Sequence, residues 1–389
     1  MFPRSQANKA HSWFIDMRAC VRSLLFPSLM SCLLTDTACQ KASAPVRLPT
    51  PREVSEEKVI ANYLPTFLHA LPAENDAHYV LWTSERPELS AAFRPLATTE
   101  QLGPPGFAPR AEHVAFVGGR LVEAPVLPSP KALPGTAKPT PTLTLLSYDR
   151  DAKTAQPVSV PLPGPCTLTQ RALLTSNGQA LFVLARCNAE QAAQLLTLDA
   201  SLSVVSVKTI EGAAQAELFL HHGDSDYLVS ARQVMRIPPQ GLPVIGTVQP
   251  PLGNAETRDC VVTGKHLWVI DGGAGRVTGM DSLSMGWVIE KRFHTEGTVT
   301  RLRAAATSSR LHIVWSEQLT TGQQRLLGAG FSLETKTPES TPPDRLHLGQ
   351  VDQRNDHDLL PLASGSETLL FRTHKSNTGP SVVMQPLSL

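Results

Sequence analysis

Hydrophobic residues in this chain come in short runs instead of helical periods. Runs of strand-forming residues stand at Tyr79-Val80-Leu81-Trp82, Leu181-Phe182-Val183-Leu184, Tyr227-Leu228-Val229-Ser230, Leu267-Trp268-Val269-Ile270, Leu311-His312-Ile313-Val314 and Leu369-Leu370-Phe371. A weaker copy is Arg120-Leu121-Val122-Glu123. Turn residues bound them, as with Gly264-Lys265 before and Gly272-Gly273 after the fifth. Runs this short between turn signals read as strands. They recur at intervals of about 40 to 46 residues, with two longer intervals of about 60, the period of a propeller blade built from short strands. Each long interval holds a proline-rich insertion, residues 124–142 (APVLPSPKALPGTAKPTPT) and 335–344 (TKTPESTPPD). Proline has no N–H to donate to a ladder, so both insertions are predicted loops.

Between the runs the same order of strands repeats. The fifth unit predicts strands at 257–263, 266–271, 276–283 and 287–293, and the third repeats the pattern as TLTQRALLTS, QALFVLARC, AQLLTLDAS and SVVSVKTI. Seven runs with four strands per unit predict an all-β, seven-bladed β-propeller in which each run is the second strand of a blade. Such a strand is covered on both faces, so it is continuously apolar instead of alternating. A six- or eight-bladed ring and a pair of β-sandwiches are the alternatives. The last unit offers three strands, at 358–364, 367–374 and 381–387, so an N-terminal segment must close the ring; 44–48 and 67–71 are the candidates. Thr50-Pro51-Arg52-Glu53 reads as a capping box with Pro at the first helical position, and Val54, Ala61 and Leu64 follow at helical spacing. A short helix is therefore expected over 51–62. The predicted organisation is a leader over 1–44, a helix-bearing segment over 45–64 and the propeller over 65–389.

The repeats resemble those of exported bacterial propellers of the YncE/NHL/quinoprotein-like kind, over about residues 70–389. The resemblance lies in the strand pattern and implies the fold and an envelope location. Thr263-Gly264-Lys265-His266-Leu267-Trp268 is similar to the core of the quinoprotein docking motif, but Arg258 and Cys260 stand where that motif has Ala and Asp, and the motif occurs once. It is read as a chance match, and no cofactor is expected.

Composition narrows the function. Lys and Arg total 35 against 34 Asp and Glu, a net charge of +1 without a basic stripe, which argues against a dedicated nucleic-acid binder. Charged residues are 18%, below the usual roughly 25%, and 33 prolines accompany them, as suits a loop-rich β protein. Aromatic residues at 5% disfavour carbohydrate binding by stacked rings.

The N-terminus reads as an address. Met17-Arg18-Ala19-Cys20-Val21-Arg22 is basic, and SLLFPSLMSCLL over 23–34 is apolar but too short to span a bilayer. This is the pattern of a secretory signal, with Met17 as the expected start. Leu29-Met30-Ser31-Cys32 is similar to a lipobox, making Cys32 the candidate lipidation site; Ala38-Cys39 is a second, weaker one. The expected location is the periplasm, the outer membrane as a lipoprotein, or the exterior, with a lipid anchor as the only membrane contact. Cys166 and Cys187 flank Asn177-Gly178, the strongest two-residue hairpin signal, which places them nearly opposite each other. A disulfide between them is expected in an oxidising compartment, with a pair of buried thiols as the alternative.

Candidate chemistry is sparse. No G-x-S-x-G, Walker, HExxH or EF-hand pattern occurs, and Ser55-Glu56-Glu57-Lys58 matches S-x-x-K without its partner motifs. His221-His222-Gly223-Asp224-Ser225-Asp226 reads as a hairpin turn, since adjacent histidines on a strand point to opposite faces and do not share an ion. The 352–358 loop (DQRNDHD) carries oxygen ligands but reads as a solvated turn. Polar residues at the starts of the innermost strands are the candidate binding site: Glu112, His113, Glu217, Arg258, Asp259, Arg301, His357 and Asp358. Their mixed charge suits a small anionic or zwitterionic ligand held by Arg258 or Arg301, or a partner loop. The expected function is a non-catalytic binding or scaffolding propeller, monomeric, with a protein partner or a small polar ligand. The alternative is a propeller enzyme of lactonase, lyase or glycosidase type. An enzyme needs mutually perturbing carboxylates at the channel mouth, and a binding module needs an exposed apolar patch.

Overall fold

The computed structural model describes residues 114–125 and 142–149, most of 156–333, and the strands alone elsewhere between residues 52 and 387. Its strands are β1 (Arg52–Glu53), β2 (Lys58–Ala61), β3 (Phe67–Pro72), β4 (His78–Thr83), β5 (Ala92–Pro95), β6 (Val114–Val117), β7 (Arg120–Glu123), β8 (Thr142–Asp149), β9 (Gln156–Pro161), β10 (Leu173–Ser176), β11 (Leu181–Arg186), β12 (Ala193–Leu198), β13 (Val204–Ile210) and β14 (Leu218–His222). They continue as β15 (Ser225–Val229), β16 (Gln233–Ile237), β17 (Val244–Thr247), β18 (Arg258–Thr263), β19 (His266–Asp271), β20 (Arg276–Asp281), β21 (Trp287–Arg292), β22 (Thr298–Ala306), β23 (Arg310–Gln318), β24 (Gln324–Ser332), β25 (Arg345–Val351), β26 (Leu359–Ser364), β27 (Glu367–Ser376) and β28 (Gly379–Pro386).

Seven sheets result. Blade 1 is β3-β4-β5, blade 2 β6 to β9, blade 3 β10 to β13, blade 4 β14 to β17, blade 5 β18 to β21, blade 6 β22 to β25 with β1 added outside, and blade 7 β26 to β28 with β2 added outside. The first strands touch in ring order, β3 to β6, β10, β14, β18, β22, β26 and back to β3. This closed circle of innermost strands defines a seven-bladed β-propeller.

The apolar runs are the second strands, and their burial explains their composition. β11, β15, β19 and β23 are buried along nearly their whole lengths. Alternate residues serve opposite neighbours. Leu267 and Val269 pack with Tyr227 and Val229 of blade 4, while Trp268 and Ile270 pack with Leu302, Ile313 and Trp315 of blade 6. Leu181 and Val183 likewise face Val117 and Val122 of blade 2, and Leu184 faces Leu228 of blade 4. Period-2 alternation thus persists, but both sides are core.

In blades 3 and 5 the turn between third and fourth strands fastens the blade to the one before it. In blade 3, Asp199 Oδ1 accepts the N–H groups of Ser201 (2.9 Å) and Ser203 (3.0 Å), and buried Leu202 takes a left-handed φ of 65° to reach the blade 2–3 core. In blade 5, Asp281 Oδ1 accepts from Leu283 (3.1 Å) and Ser284 (2.7 Å), and Met285, with φ 56°, enters the blade 4–5 core. A Cβ on Gly246 of β17 would stand 2.6 Å from the Met285 carbonyl oxygen, so glycine there is what lets the plug seat. Left-handed Leu and Met are strained, and buried packing plus the Asp-centred turn hold them.

Three expectations are corrected. The helix over 51–62 is absent; Arg52–Glu53 and Lys58–Ala61 are strands. β2 pairs antiparallel with β28, Lys58 opposite Met384 and Val59 opposite Val383, so it closes the ring. Phe67–Pro72 instead opens blade 1, and 44–48 lies outside the described residues. A helix of one dozen residues is marginal alone, whereas β28 offers a full row of unpaired backbone groups, and Val59-Ile60 suits a strand. The Asn177-Gly178 turn is also wider than a two-residue hairpin. Ser176 pairs with Leu181, and Asn177 Oδ1 accepts from Gln179 (3.0 Å) and Ala180 (2.8 Å). Its Gly178 carbonyl accepts the Gly118 N–H of blade 2 at 2.9 Å, so the turn is drawn outward by the neighbouring blade.

Candidate functional site

The channel mouth at the first-strand starts is built from charges paired between blades. Glu217 precedes β14, and its carboxylate meets the guanidinium of Arg258, the first residue of β18 in the next blade. Arg258 is 2% exposed. Burial pulls its pKa below the ordinary value, against the attraction of Asp271 and the Cys260 thiol. Its Nε and Nη1 have no hydrogen-bond partner among the described residues. Asp259, one residue on, turns to the other neighbour: its Oδ2 accepts the Ala304 N–H of β22 at 2.8 Å and its Oδ1 the Cys260 N–H at 2.8 Å. Burial raises the Asp259 pKa, and Arg303 with those two N–H groups opposes the rise. Arg301 sits within β22 opposite Ser316, half-buried. The structure thus brings Glu217 and Arg258 together and ties Asp259 to the strand carrying Arg301. Glu112, His113, His357 and Asp358 lie outside the described residues, as do Cys32 and most of the 124–142 and 335–344 insertions.

A second set of charges at this mouth went unread in the sequence. Glu123, Arg186, Asp271 and Glu317 stand at or near the ends of their second strands. Tyr148 Oη donates to Glu123 at 2.6 Å. Arg186 donates from Nε to Arg171 O (3.1 Å) and from Nη1 to Ala216 O (3.0 Å) in the next blade. Asp271 lies 3.7 Å from Arg276 and accepts the Gly273 N–H at 3.1 Å. Glu317, fully buried, accepts from Arg325 Nε at 2.6 Å and from the Glu296 N–H at 3.2 Å. Arg325 also pairs with Glu296 at 2.5 Å. Burial lowers its pKa, yet the two carboxylates outweigh that and raise it. The available signal was a charge closing each apolar run, as in RLVE, LFVLAR, HLWVID and IVWSE.

The cysteine expectation is met beside Arg186, where Cys166 and Cys187 form a disulfide with Cα atoms 4.9 Å apart. Leu168 pairs with Cys187 while Leu173 pairs with Leu184, so two extra residues on the incoming side compensate for the wide turn. Cys260 is a buried free thiol, its pKa pushed well up by burial and by Asp259. At the opposite mouth, His221 Nδ1 meets Asp226 Oδ1 at 2.9 Å and its ring stacks on Phe182 at 3.7 Å, while His222 is exposed. No group of three His, Cys, Asp or Glu among the described residues could hold a metal ion.

The outer wall has the opposite character. Exposed large apolar residues fall on the fourth strands of blades 3 to 5 and the turns leading into them: Val205 (66%), Leu242 (85%), Ile245, Leu283 (62%), Trp287 and Val288. Trp287 Nε1 donates to Thr247 O at 3.0 Å, which ties its indole across the blade 4–5 seam.

No protein-family model matches the chain, and no curated protein matches it. Solved structures do. The WD40 domain of coronin from Toxoplasma gondii is similar at 12% identity and TM-score 0.50, over 88% of each chain. Hsv2 from Kluyveromyces lactis is similar at 9% identity and TM-score 0.48, over 84% of this chain and 98% of that one. BBS1N, solved in complex with ARL6DN, is similar at 10% identity and TM-score 0.45, over 86% and 97%. At these identities the coronin match shows a propeller fold and nothing finer.

Proposed function

We propose that the chain is a non-catalytic binding propeller that engages protein partners on the outer wall of blades 3 to 5. The exposed apolar residues Val205, Leu242, Ile245, Leu283, Trp287 and Val288, concentrated on the fourth strands of three consecutive blades and the turns leading into them, carry this reading. A concentration of exposed large apolar side chains marks an interaction site, and an indole fixed by its own hydrogen bond is a low-entropy anchor. A catalytic mouth keeps carboxylates available; here Glu123, Glu217, Asp271 and Glu317 are each engaged by the chain's own Tyr or Arg side chains. The reading includes export to a bacterial envelope. The basic segment at 17–22, the apolar run at 23–34 with Cys32, and the Cys166–Cys187 bridge support it, since disulfides persist in oxidising compartments.

The test is a photo-crosslinking amino acid placed at Leu283 in cells that export the full chain. A discrete crosslinked partner, lost on Ile245→Glu together with Val288→Glu, is the expected result. No crosslink, together with turnover of a lactone or glycoside substrate by the purified protein, would overturn the reading.

A further inference from the structure

We infer that the Cys166–Cys187 bridge is a redox-sensitive latch: its reduction by a dithiol releases the arch of chain that links blade 2 to blade 3, and with it the Arg186 tie between blades 3 and 4, while the ring stays folded. The latch lies at the channel mouth and acts independently of any partner on the outer wall.

The arch runs from the end of β9 to the start of β10, residues 162–172. Pro163 and Pro165 within it have no N–H to donate, and Leu168 makes an isolated bridge to Cys187 itself. Its two ends are fixed in the blade 2–3 core, where Leu162 and Ala172 are buried. Gln194 Nε2 donates to Pro163 O, close to the first of those ends. Between the ends the arch is fastened to β11 at two neighbouring residues. Cys166 is bonded to Cys187, and Arg171 O accepts from Arg186 Nε at 3.1 Å and from Nη2. Arg186 also reaches blade 4, its Nη1 donating to Ala216 O at 3.0 Å. A guanidinium is a rigid planar fork, so the grip on Arg171 O fixes where Nη1 points. When the bridge opens and the arch moves off, Arg171 O leaves the fork and the bond to blade 4 loses its alignment.

The opening is local because the bridged residues are only 21 apart, and a short loop constrains little of the unfolded chain. β10 and β11 keep their own ladder, from Leu173 opposite Leu184 to Ser176 opposite Leu181. Cys187 is half-buried while Cys166 is buried, so the Cys187 sulfur is the one an attacking thiolate meets first. The opening is also reversible. Among the described residues the other cysteine is Cys260, buried in the blade 4–5 core, so no nearby thiol competes when the freed pair re-forms. In the reduction, a thiolate of the dithiol attacks Cys187 Sγ, the S–S bond breaks, and Cys166 leaves as a thiolate that takes up a proton. The second thiolate of the reductant then attacks the reductant's own sulfur in the mixed disulfide and releases Cys187, which is protonated in turn. Two electrons and two protons pass from the dithiol to the protein.

The test exposes the folded full chain to millimolar dithiothreitol and follows thiols by alkylation mapping and amides by hydrogen exchange. Expected are alkylation of Cys166 and Cys187 but not Cys260, exchange about tenfold faster over residues 164–171 and 213–217, and unchanged protection in β19 and β23. Oxidised glutathione should restore both the bridge and the slow exchange. The C166S/C187S variant should show the fast exchange without reductant; if it does not fold, the ring depends on the bridge and the latch is overturned. A bridge that resists dithiothreitol until β19 and β23 also lose protection would be a buried staple and no latch. Reduction that leaves 164–171 slow would show that the arch is held without the bridge, and reduction that leaves 213–217 slow would remove the coupling to blade 4.

Discussion

The channel mouth and the outer wall of this propeller handle solvent in opposite ways. At the mouth, where a ligand site was expected, the described charged groups are matched to partners in their own blade or the next: exposed Glu217 with buried Arg258, Asp259 with the Ala304 N–H, half-buried Arg186 with the Ala216 carbonyl. On the wall, valine, leucine and tryptophan face water. Burying a charge demands a partner, since the unpaired ion is the costly state, so the mouth reads as a polar seam that sets blade against blade. Exposed apolar surface has no such internal account. The contrast moves the expected contact with other molecules from the axis to the perimeter.

The strongest way to break the comparison is at Glu317. Glu317→Ala leaves Arg325 half-buried with Glu296 alone, and a stability loss of about 3 kcal/mol is expected by urea unfolding. Glu317→Leu with Arg325→Met should recover most of it, because a matched apolar pair removes both charges. A loss under about 0.5 kcal/mol for Glu317→Ala would mean that the mouth is solvated like an ordinary surface.

Much of the ring was legible in the sequence because its physics is local. The strand at 266–271 of the fifth unit matches β19 at both ends, and its three companions match β18, β20 and β21 within two residues. Turn residues and apolar runs mark those bounds without reference to distant partners. Closure was not legible: 58–61 has both a helical reading and a β-branched pair, and only the open edge of β28, more than 300 residues away, decides between them. Among the described mouth residues, Glu217, Arg258 and Asp259 stand at strand starts and Arg301 is the fourth residue of β22, but Glu217 and Arg258 meet across neighbouring blades, and no spacing rule links them. The outer wall was missed because VVSVKTI and WVIEKR look like any half-buried strand until the sheet order leaves one side open.

His312 offers a smaller and pH-dependent test. It is buried on β23, and burial together with Arg310 pushes its pKa down to about 4. In the unfolded chain the imidazole returns to about 6.5. A depressed folded value means that the unfolded state binds the proton more tightly, so the stability present above pH 6.5 falls as pH drops toward 4. The full effect is up to about 3 kcal/mol and is largest below the folded pKa. Between pH 7 and 5 only about 2 kcal/mol of it is expected, and His312→Gln should flatten that slope. An unchanged slope would assign the acid sensitivity to another group.

The smallest stability effect is expected on the outer wall, and its smallness is the point. Val205→Thr, Leu283→Ser and Val288→Thr each remove exposed apolar surface without touching an ion pair, a turn hydrogen bond or a blade core. Leu283 is 62% exposed at the tip of the Asp281 turn, and that turn is held by backbone N–H groups and Ser284, which the substitution leaves in place. Met285, two residues on, supplies the anchoring side chain. Each variant should therefore lie within about 0.5 kcal/mol of the parent in chemical unfolding. Crosslinking from a probe at position 245 should nonetheless fall several-fold in the triple variant, since the apolar belt acts as a contact surface. A loss of stability above about 1 kcal/mol would show that the belt packs against the chain itself. Undiminished crosslinking in the intact triple variant would place the contact surface elsewhere on the ring.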